Sequence, residues 1–465
     1  MCPCLCYYIF IQYNICVHKD KITNQPKYIR LYMLISTQHS NNISKKVSIR
    51  KYSIILSFLC IMFMVTPVTA IDYFEGGEGT EANPYNISNV NQLQNMTFNL
   101  TANYTLINDI NASDTVNWND EGFEPIGNFS NQFTGTFDGQ DYTISNLTIN
   151  RSGENYVGLF GYLGGGCVSN ASLKNVNITG SWNVGALIGQ NNGTVTNSHA
   201  TGKVTGTGGS SAGGLIGEIL NGGTVNDSYA KVNVVGIQQV GGLVGTNIGS
   251  INNSYATGNV TGYDEKVGGL VGSNRESVKS IGLVTNSYAI GKVMGDSDCV
   301  GGLIGHDYGT VKNSYWDILT SNQFSSGAGT GLSTAQMTGD AAKGNMTGLD
   351  FVNTWDVIDD GNNVSYPYLK NNTQELAPGL QNSENVTKLY AGGYGNESDP
   401  YEIANWNHLY NINAHLKANY TLIADLNETT TGYEEVASKT SNEGSGFCMI
   451  GDVNGFSGTF EGQNY

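Results

Sequence analysis

A glycine-leucine block that returns at nearly constant spacing constrains this chain more than any other feature. It reads VGLFG at 157–161, VGALIG at 184–189, GGLIG at 213–217, VGGLVG at 240–245 and 267–272, and VGGLIG at 300–305. The leucines, Leu159, Leu187, Leu215, Leu243, Leu270 and Leu303, are separated by 28, 28, 28, 27 and 33 residues. Each block has a second half: NSHATGKVTG from Asn197, DSYAKVNVVG from Asp227, NSYATGNVTG from Asn253, NSYAIGKVMG from Asn286 and the terminal NSYWD from Asn313. A catalytic loop occurs once per active site, whereas a stacking unit must recur before it can bury a shared core. The recurrence therefore marks a building block.

Within one block the apolar runs are short: Leu243-Val244, Ile251, Tyr255-Ala256 and Val260, separated by Gly- or Asn-rich bends. Runs of this length are too short for useful helices, so strand is the expected state. One 28-residue unit cannot close a core, but six stacked units can, each strand pairing with its equivalent in the next. The fold class expected is all-β: a parallel β-solenoid of about six coils, roughly 30 Å long at about 4.8 Å per coil. Gly214, Leu215, Gly242, Leu243, Gly269, Leu270, Gly302 and Leu303 are its structural slots. Gly242, Gly245, Gly249 and Gly258 are expected where a positive φ or close approach of coils excludes a Cβ. Asn197, Asn253, Asn286 and Asn313 are expected to occupy left-handed bends and to hydrogen-bond their equivalents one coil away.

The pattern G-G-L-[IV]-G followed by N-S-Y-A-x-G-x-V-x-G resembles the GLUG repeat over about 157–317. The resemblance implies a secreted bacterial or archaeal surface β-helix, of the kind found in adhesin-like chains and in stalks of surface peptidases. It implies no activity by itself.

The flanks extend the plan. Residues 72–156 read as an N-terminal cap with a first irregular coil, including a short capping helix within 89–99. Residues 318–387 read as a C-terminal cap and linker, with the stretch through 355–369 expected to cover the last coil. From 388 the cap returns: YGNESDPYEIANWNHLYNI (394–412) parallels EGTEANPYNISNVNQLQNM (78–96), and FSGTFEGQNY parallels FTGTFDGQDY. Residues 388–465 are thus expected to open a second, truncated solenoid unit, so that the chain is a fragment of a longer tandem protein.

Only 13% of the chain is charged, and 61 of its 465 residues are glycine, well above the usual share of about 7%. Asn, Ser and Thr supply the polarity and create more than twenty Asn-x-Ser/Thr sequons, among them Asn86, Asn95, Asn99, Asn103, Asn146, Asn177 and Asn259; N-glycosylation is expected where the organism has the machinery. A net charge of −17 argues against nucleic acid and anionic lipid as partners, which need a basic surface. Residues 1–70 hold an N-terminal extension and an export signal. Lys45, Lys46, Arg50 and Lys51 precede the uncharged run 53–70, which ends in Val68, Thr69 and Ala70. Cleavage is expected before Ile71 and translation from Met33; uncleaved, the run is long enough to span a membrane. Five of eight cysteines (Cys2, Cys4, Cys6, Cys16, Cys60) lie in this stretch, leaving Cys167, Cys299 and Cys448 scattered. No disulfide framework or zinc spacing results.

For catalysis the sequence offers little. No HExxH motif is present, and past the signal only Arg151 and Arg275 could serve an arginine-dependent lyase, neither with a dense acidic neighbourhood. Asp296, Asp298, Asp307 and Asp317 are the densest acids but fall in different turns. Asp296, Asp298 and Asp307, near carbonyls freed by Gly295, Gly301 and Gly302, are where a calcium ion is expected, since oxygen-rich turns suit a hard cation; no other cofactor is expected. Tyr229, Tyr255, Tyr288 and Tyr315, with His199 in the same slot, recur once per coil. If they point inward they are core; if outward they form a row of rings suited to sugar stacking. The reading is an extracellular non-catalytic surface solenoid acting as stalk, adhesin or envelope component, with cell-surface glycans or envelope proteins as partners. The alternative is a carbohydrate-binding or polysaccharide-processing β-helix.

Overall fold

The computed structural model describes residues 73–465 apart from 210, 298, 373–376, 380, 383–389, 394, 396, 398–399, 415, 442–443, 452–454 and 464, together with two strands in the N-terminal stretch. The chain forms two compact units, Met1–Ala70 and Ile71–Tyr465. In the first, Gln12–Lys19 and Pro26–Leu34 pair antiparallel. The apolar run 53–70, the expected cleavage point before Ile71, and Asp298 lie outside the described residues.

In the second unit, short strands from each coil pair in parallel with their equivalents in the next. A nine-stranded sheet runs through the small bend between the two halves of each repeat, in strict register: Val195, Val225, Ile251, Val284 and Val311 are successive partners. A twelve-stranded sheet carries the NSYA segments, a six-stranded sheet the strands that directly follow the repeat leucines, and a four-stranded sheet the Ala-Gly or Val-Gly pairs that open four of the blocks. Nine rungs span eight spacings, or about 38 Å. The stack is longer than six coils because Tyr85–Ile87, Asn103–Leu106 and Thr136–Asp138, in the region expected to cap, are its first three rungs. Their core is aromatic: Phe160 packs against Phe133 at 4.9 Å and Phe137 at 5.5 Å between ring centroids. Irregular coils with few repeat signals hide this role in the sequence.

Inside the array, all six repeat leucines are fully buried in one continuous core with the valines and alanines of neighbouring strands. Each contributes about 1.5–3 kcal/mol by leaving water. The glycine slots exist for close approach. A Cβ on Gly242 would sit 2.1 Å from the carbonyl oxygen of Gly269 and 2.9 Å from Ala256 Cβ; neither Gly242 nor Gly245, Gly249 or Gly258 has a positive φ. The left-handed position belongs instead to Asn197, Asp227, Asn253, Asn286 and Asn313, at φ between 46° and 50°. Their side chains link coils: Asn253 Nδ2 donates to Asp227 Oδ1 at 3.0 Å and Asn313 Nδ2 to Asn286 Oδ1 at 3.2 Å.

The serine that follows each of these residues escaped the sequence reading. Ser198, Ser228, Ser254, Ser287 and Ser314 are buried. The left-handed residue turns the chain out of the regular ladder, and the serine hydroxyl bridges the break. Ser254 Oγ donates to Asn252 O at 2.8 Å and accepts the Ser228 N–H at 3.3 Å, and the other four repeat the pattern.

At the start of the stack a helix, Val90–Asn95, is capped by Asn89, whose side chain accepts the Gln92 N–H. The same device recurs near the far end: helix Trp406–Tyr410 is capped by Asn405. There Tyr401, Tyr420 and Phe460 are register partners as Tyr85, Tyr104 and Phe137 are in the first copy. The internal duplication read from the sequence is therefore a duplication of strand register.

Gly242→Ala is expected to cost about 3 kcal/mol or more, because the obstructing atom is backbone and cannot turn aside. Chemical denaturation measures this; an unchanged midpoint would show that the coils are not packed as described.

Candidate functional site

The NSYA strands alternate: Ala230, Ala256 and Ala289 point into the solenoid core, and the tyrosines before them point out. His199, Tyr229, Tyr255 and Tyr288 stack face to face, with centroids 4.5, 4.8 and 5.0 Å apart and planes within 5°. The row is nevertheless covered. Tyr229, Tyr255, Tyr288 and Tyr315 are 7%, 2%, 0% and 6% exposed, beneath a strap formed by the chain after the last coil. Trp355 leans on Tyr255 and Tyr288 at 6.0 and 5.7 Å, while Leu332, Met337, Met346, Leu349, Tyr366 and Leu369 complete a second hydrophobic cluster. Tyr288 OH donates to Pro367 O, and Tyr315 OH accepts the Gly348 N–H. Neither simple expectation for the ladder holds: it faces outward, yet no ring face is open to a sugar. The segment through 355–369, expected to cover the last coil, instead runs along the side of the stack over Tyr255 and Tyr288, and Asn372 just beyond it reaches His199.

At that end His199 Nδ1 meets Asn372 Oδ1 at 2.9 Å and Nε2 meets Ser172 Oγ at 3.0 Å. Burial depresses the imidazole pKa from 6.5 to about 4, against the hydrogen bond to Asn372 Oδ1 and the charge of Asp141, which raise it.

The acids part ways. Asp317 is fully buried; it caps the helix Ile318–Ser321 by accepting the Leu319 and Thr320 N–H groups, and it also accepts the hydroxyls of Thr334 and Tyr366. Burial raises its pKa and these four hydrogen bonds pull it back. It ties the strap to the last coil. Asp307 Oδ1 accepts the Asn274 amide at 2.7 Å and the Gly309 N–H at 3.1 Å, ending a row of buried asparagines. Asp296 is exposed in another turn. The Gly301 carbonyl, expected to be free for calcium, accepts the Gly269 N–H at 3.2 Å. Among the described residues no group of three or more His, Cys, Asp or Glu is placed to hold a metal ion. Arg151, which has no adjacent acidic run in sequence, forms ion pairs with Glu121 at 3.2 Å and Glu154 at 2.9 Å.

A surface outside the repeat slots gathers rings and polar groups. Phe129, 63% exposed, lies stacked on Tyr156 at 5.9 Å and edge-on to Tyr162 at 6.2 Å. Tyr162, Gln190 and Glu218 are successive partners on the outer face of the six-stranded sheet. Glu218 Oε2 accepts the amides of Gln190 at 2.6 Å and Asn183 at 2.8 Å. Burial raises the Glu218 pKa; the two amides and the charge of Arg275 oppose the shift. The repeat pattern concealed this cluster because Phe129 precedes the array.

In-register coils, buried asparagine and serine rows and a capping helix place the second unit among the parallel β-solenoids. More particularly, the stack carries the GLUG repeat: residues 236–261 match the GLUG motif, and residues 73–202 match the model described as the M26 IgA1-specific metallo-endopeptidase N-terminal region. It is 43% identical over 209 residues to halomucin of Haloquadratum walsbyi, covering 43% of this chain and 2% of that protein. It is 34% identical over 165 residues to a "Putative Gly-rich membrane protein" of Evansella cellulosilytica, covering 32% of this chain and 19% of that one. The chain thus spans a small part of the length of these relatives. A crystal structure titled as a putative immunoglobulin A1 protease from Bacteroides ovatus shares the fold, with a TM-score of 0.52 at 23% identity over 65% of this chain and 96% of that chain.

Asp317→Ala is expected to cost about 3 kcal/mol or more, since two N–H groups and two hydroxyls lose a buried acceptor; protease cleavage within 334–369 at concentrations that spare the parent reads it out. The His199 shift predicts acid sensitivity. Below pH 6.5 the unfolded chain takes up a proton that the folded one refuses until about pH 4, so stability falls as pH drops across that window, by up to about 3 kcal/mol. His199→Tyr, the residue of the other coils, removes this contribution. Equal slopes of stability against pH in the two proteins would refute the assignment.

Proposed function

We propose that this chain is a non-catalytic solenoid displayed outside the cell, serving as a stalk, adhesin or envelope component. The observation that carries the reading is the continuous in-register stack whose ladder face is sealed by the chain's own strap. Two of its buried ionisable side chains are spent on structure: Asp317 binds the strap to the last coil, and His199 ends the aromatic row against Asn372. A rod whose length scales with coil number is a spacer by construction. The relatives support the same reading: one is named as a membrane protein, and the matched segment occupies 2% and 19% of their lengths, as a module within a longer chain would. Similarity to the N-terminal region of a metallo-endopeptidase supports a presenting role beside chemistry performed elsewhere.

Surface labelling tests this. An amine-reactive, membrane-impermeant biotin applied to intact cells is expected to modify the exposed Lys203 and Lys231; modification only after lysis would rule out display.

A further inference from the structure

We propose that Asn197 and Asp227, together with Thr354 and Asn371 of the strap, form a calcium site at the end of the tyrosine row.

The side chains along the left-handed bends make a hydrogen-bonded chain with one direction, each amide donating back toward the preceding coil. Asn170 Nδ2 donates to Asp138 Oδ1 at 2.8 Å, Asn197 Nδ2 to Asn170 Oδ1 at 3.4 Å, and Asn253 Nδ2 to Asp227 Oδ1 at 3.0 Å. Further on, Asn286 Nδ2 donates to Asn252 Oδ1 at 3.0 Å and Asn313 Nδ2 to Asn286 Oδ1 at 3.2 Å. One link is missing. Among the five bend residues of the array, Asn197, Asp227, Asn253, Asn286 and Asn313, only residue 227 is an aspartate, and an ionised carboxylate has no proton to donate. Its Oδ2 takes the place that Nδ2 holds in the neighbouring coils, so Asp227 and Asn197 Oδ1 meet acceptor to acceptor. Among the described residues neither Asp227 Oδ2 nor Asn197 Oδ1 has a hydrogen-bond partner. An asparagine at 227 would complete the chain, so coil packing does not call for the acid.

The break falls where the strap arrives. Asn197, Asp227 and Asn253 line a cavity of about 210 Å³ with Thr354, Asn371 and Asn372. Asn372 fixes the strap over the gap: its Nδ2 donates to Asp227 O at 2.8 Å, and its Oδ1 meets His199 Nδ1 at 2.9 Å. The Asp227 carboxylate, the amide oxygens of Asn197, Asn253 and Asn371, and the Thr354 hydroxyl then supply an oxygen lining. Among the described residues no lysine or arginine pairs with Asp227. Lys370, next to Asn371 in the chain, directs its ammonium to the carbonyls of Phe351 and Val352 at 3.0 and 2.9 Å. His199 is uncharged at neutral pH, because burial depresses its pKa to about 4.

The chemistry selects the ligand. Two facing acceptors repel unless positive charge lies between them. Coils are about 4.8 Å apart, so an ion midway lies about 2.4 Å from each oxygen, inside the range of about 2.3–2.6 Å for calcium and beyond the roughly 2.0–2.1 Å of magnesium. Carboxylate, amide and hydroxyl oxygens are hard ligands, with water completing the shell; softer metals take nitrogen or sulfur. A single carboxylate places the affinity in the weak range of about 10⁻⁴–10⁻³ M. Bound there, the ion joins two coils to the strap and holds its far end down.

Calorimetric titration of the chelator-treated full chain with calcium is the test, read alongside thermal unfolding and protease cleavage within 334–369. Millimolar calcium is expected to bind, to raise the unfolding temperature and to slow cleavage at least fivefold, with magnesium weaker by a similar factor. Asp227→Asn restores the missing donor, so it should unfold at or above the parent's calcium-free temperature and lose the calcium response. Asp296→Asn, which removes an exposed acid elsewhere, should keep it. A parent that behaves identically in chelator and in calcium, a response that survives Asp227→Asn, or an equal response to magnesium overturns the site.

Discussion

Every element of the second unit depends on coils approaching closely enough to share backbone hydrogen bonds on all faces at once. At about 4.8 Å per rung, a side chain at the block corner has no space, and Gly242 shows the limit: the next coil's carbonyl oxygen occupies the volume a methyl group would need. Given that approach, like residues must stack on like. The leucines form a continuous core, the asparagines at positive φ pass a hydrogen bond from coil to coil, and the buried serines repair the ladder where it breaks. Stability is thus distributed along the stack, and any one coil is held mainly by its two neighbours.

The twelve-stranded sheet has a core on each side. Inward lie the alanines and valines of the solenoid; outward lies the tyrosine row under its strap. Stacked rings add about 0.5–1.5 kcal/mol per pair beyond their burial, and the strap removes from water an apolar surface that would otherwise invite association. Asp317 is the joint of this arrangement. Fully buried, it is tolerated because four donors converge on it, the condition under which a buried carboxylate is stable. The final NSYWD therefore ends the array and also starts its covering.

Departures from the repeat are informative in a different way. Within the array, His199 replaces a tyrosine and brings a proton-dependent group to the seam where the strap ends. Before it, the coils are built on aromatic rather than aliphatic residues, and Phe129 and Tyr156 stay partly exposed beside a half-buried glutamate. A regular solenoid face is chemically monotonous, since each rung repeats its neighbour; recognition of a ligand needs such irregular places.

Periodicity alone determined the parallel stack and its repeating slots, because a unit that recurs every 28 or so residues must bury the same positions against its neighbours. The same logic predicted asparagine in the left-handed bends. What one repeat cannot encode is where distant segments come to rest. That the first three rungs come from 85–138, that 332–372 folds along the side and covers the tyrosines, and that Arg151 meets Glu121 were decided by tertiary packing. The ladder shows the physical reason: strand alternation allowed its tyrosines to face either way, and only the location of an apolar partner, contributed from beyond residue 330, settled that they face outward and are buried.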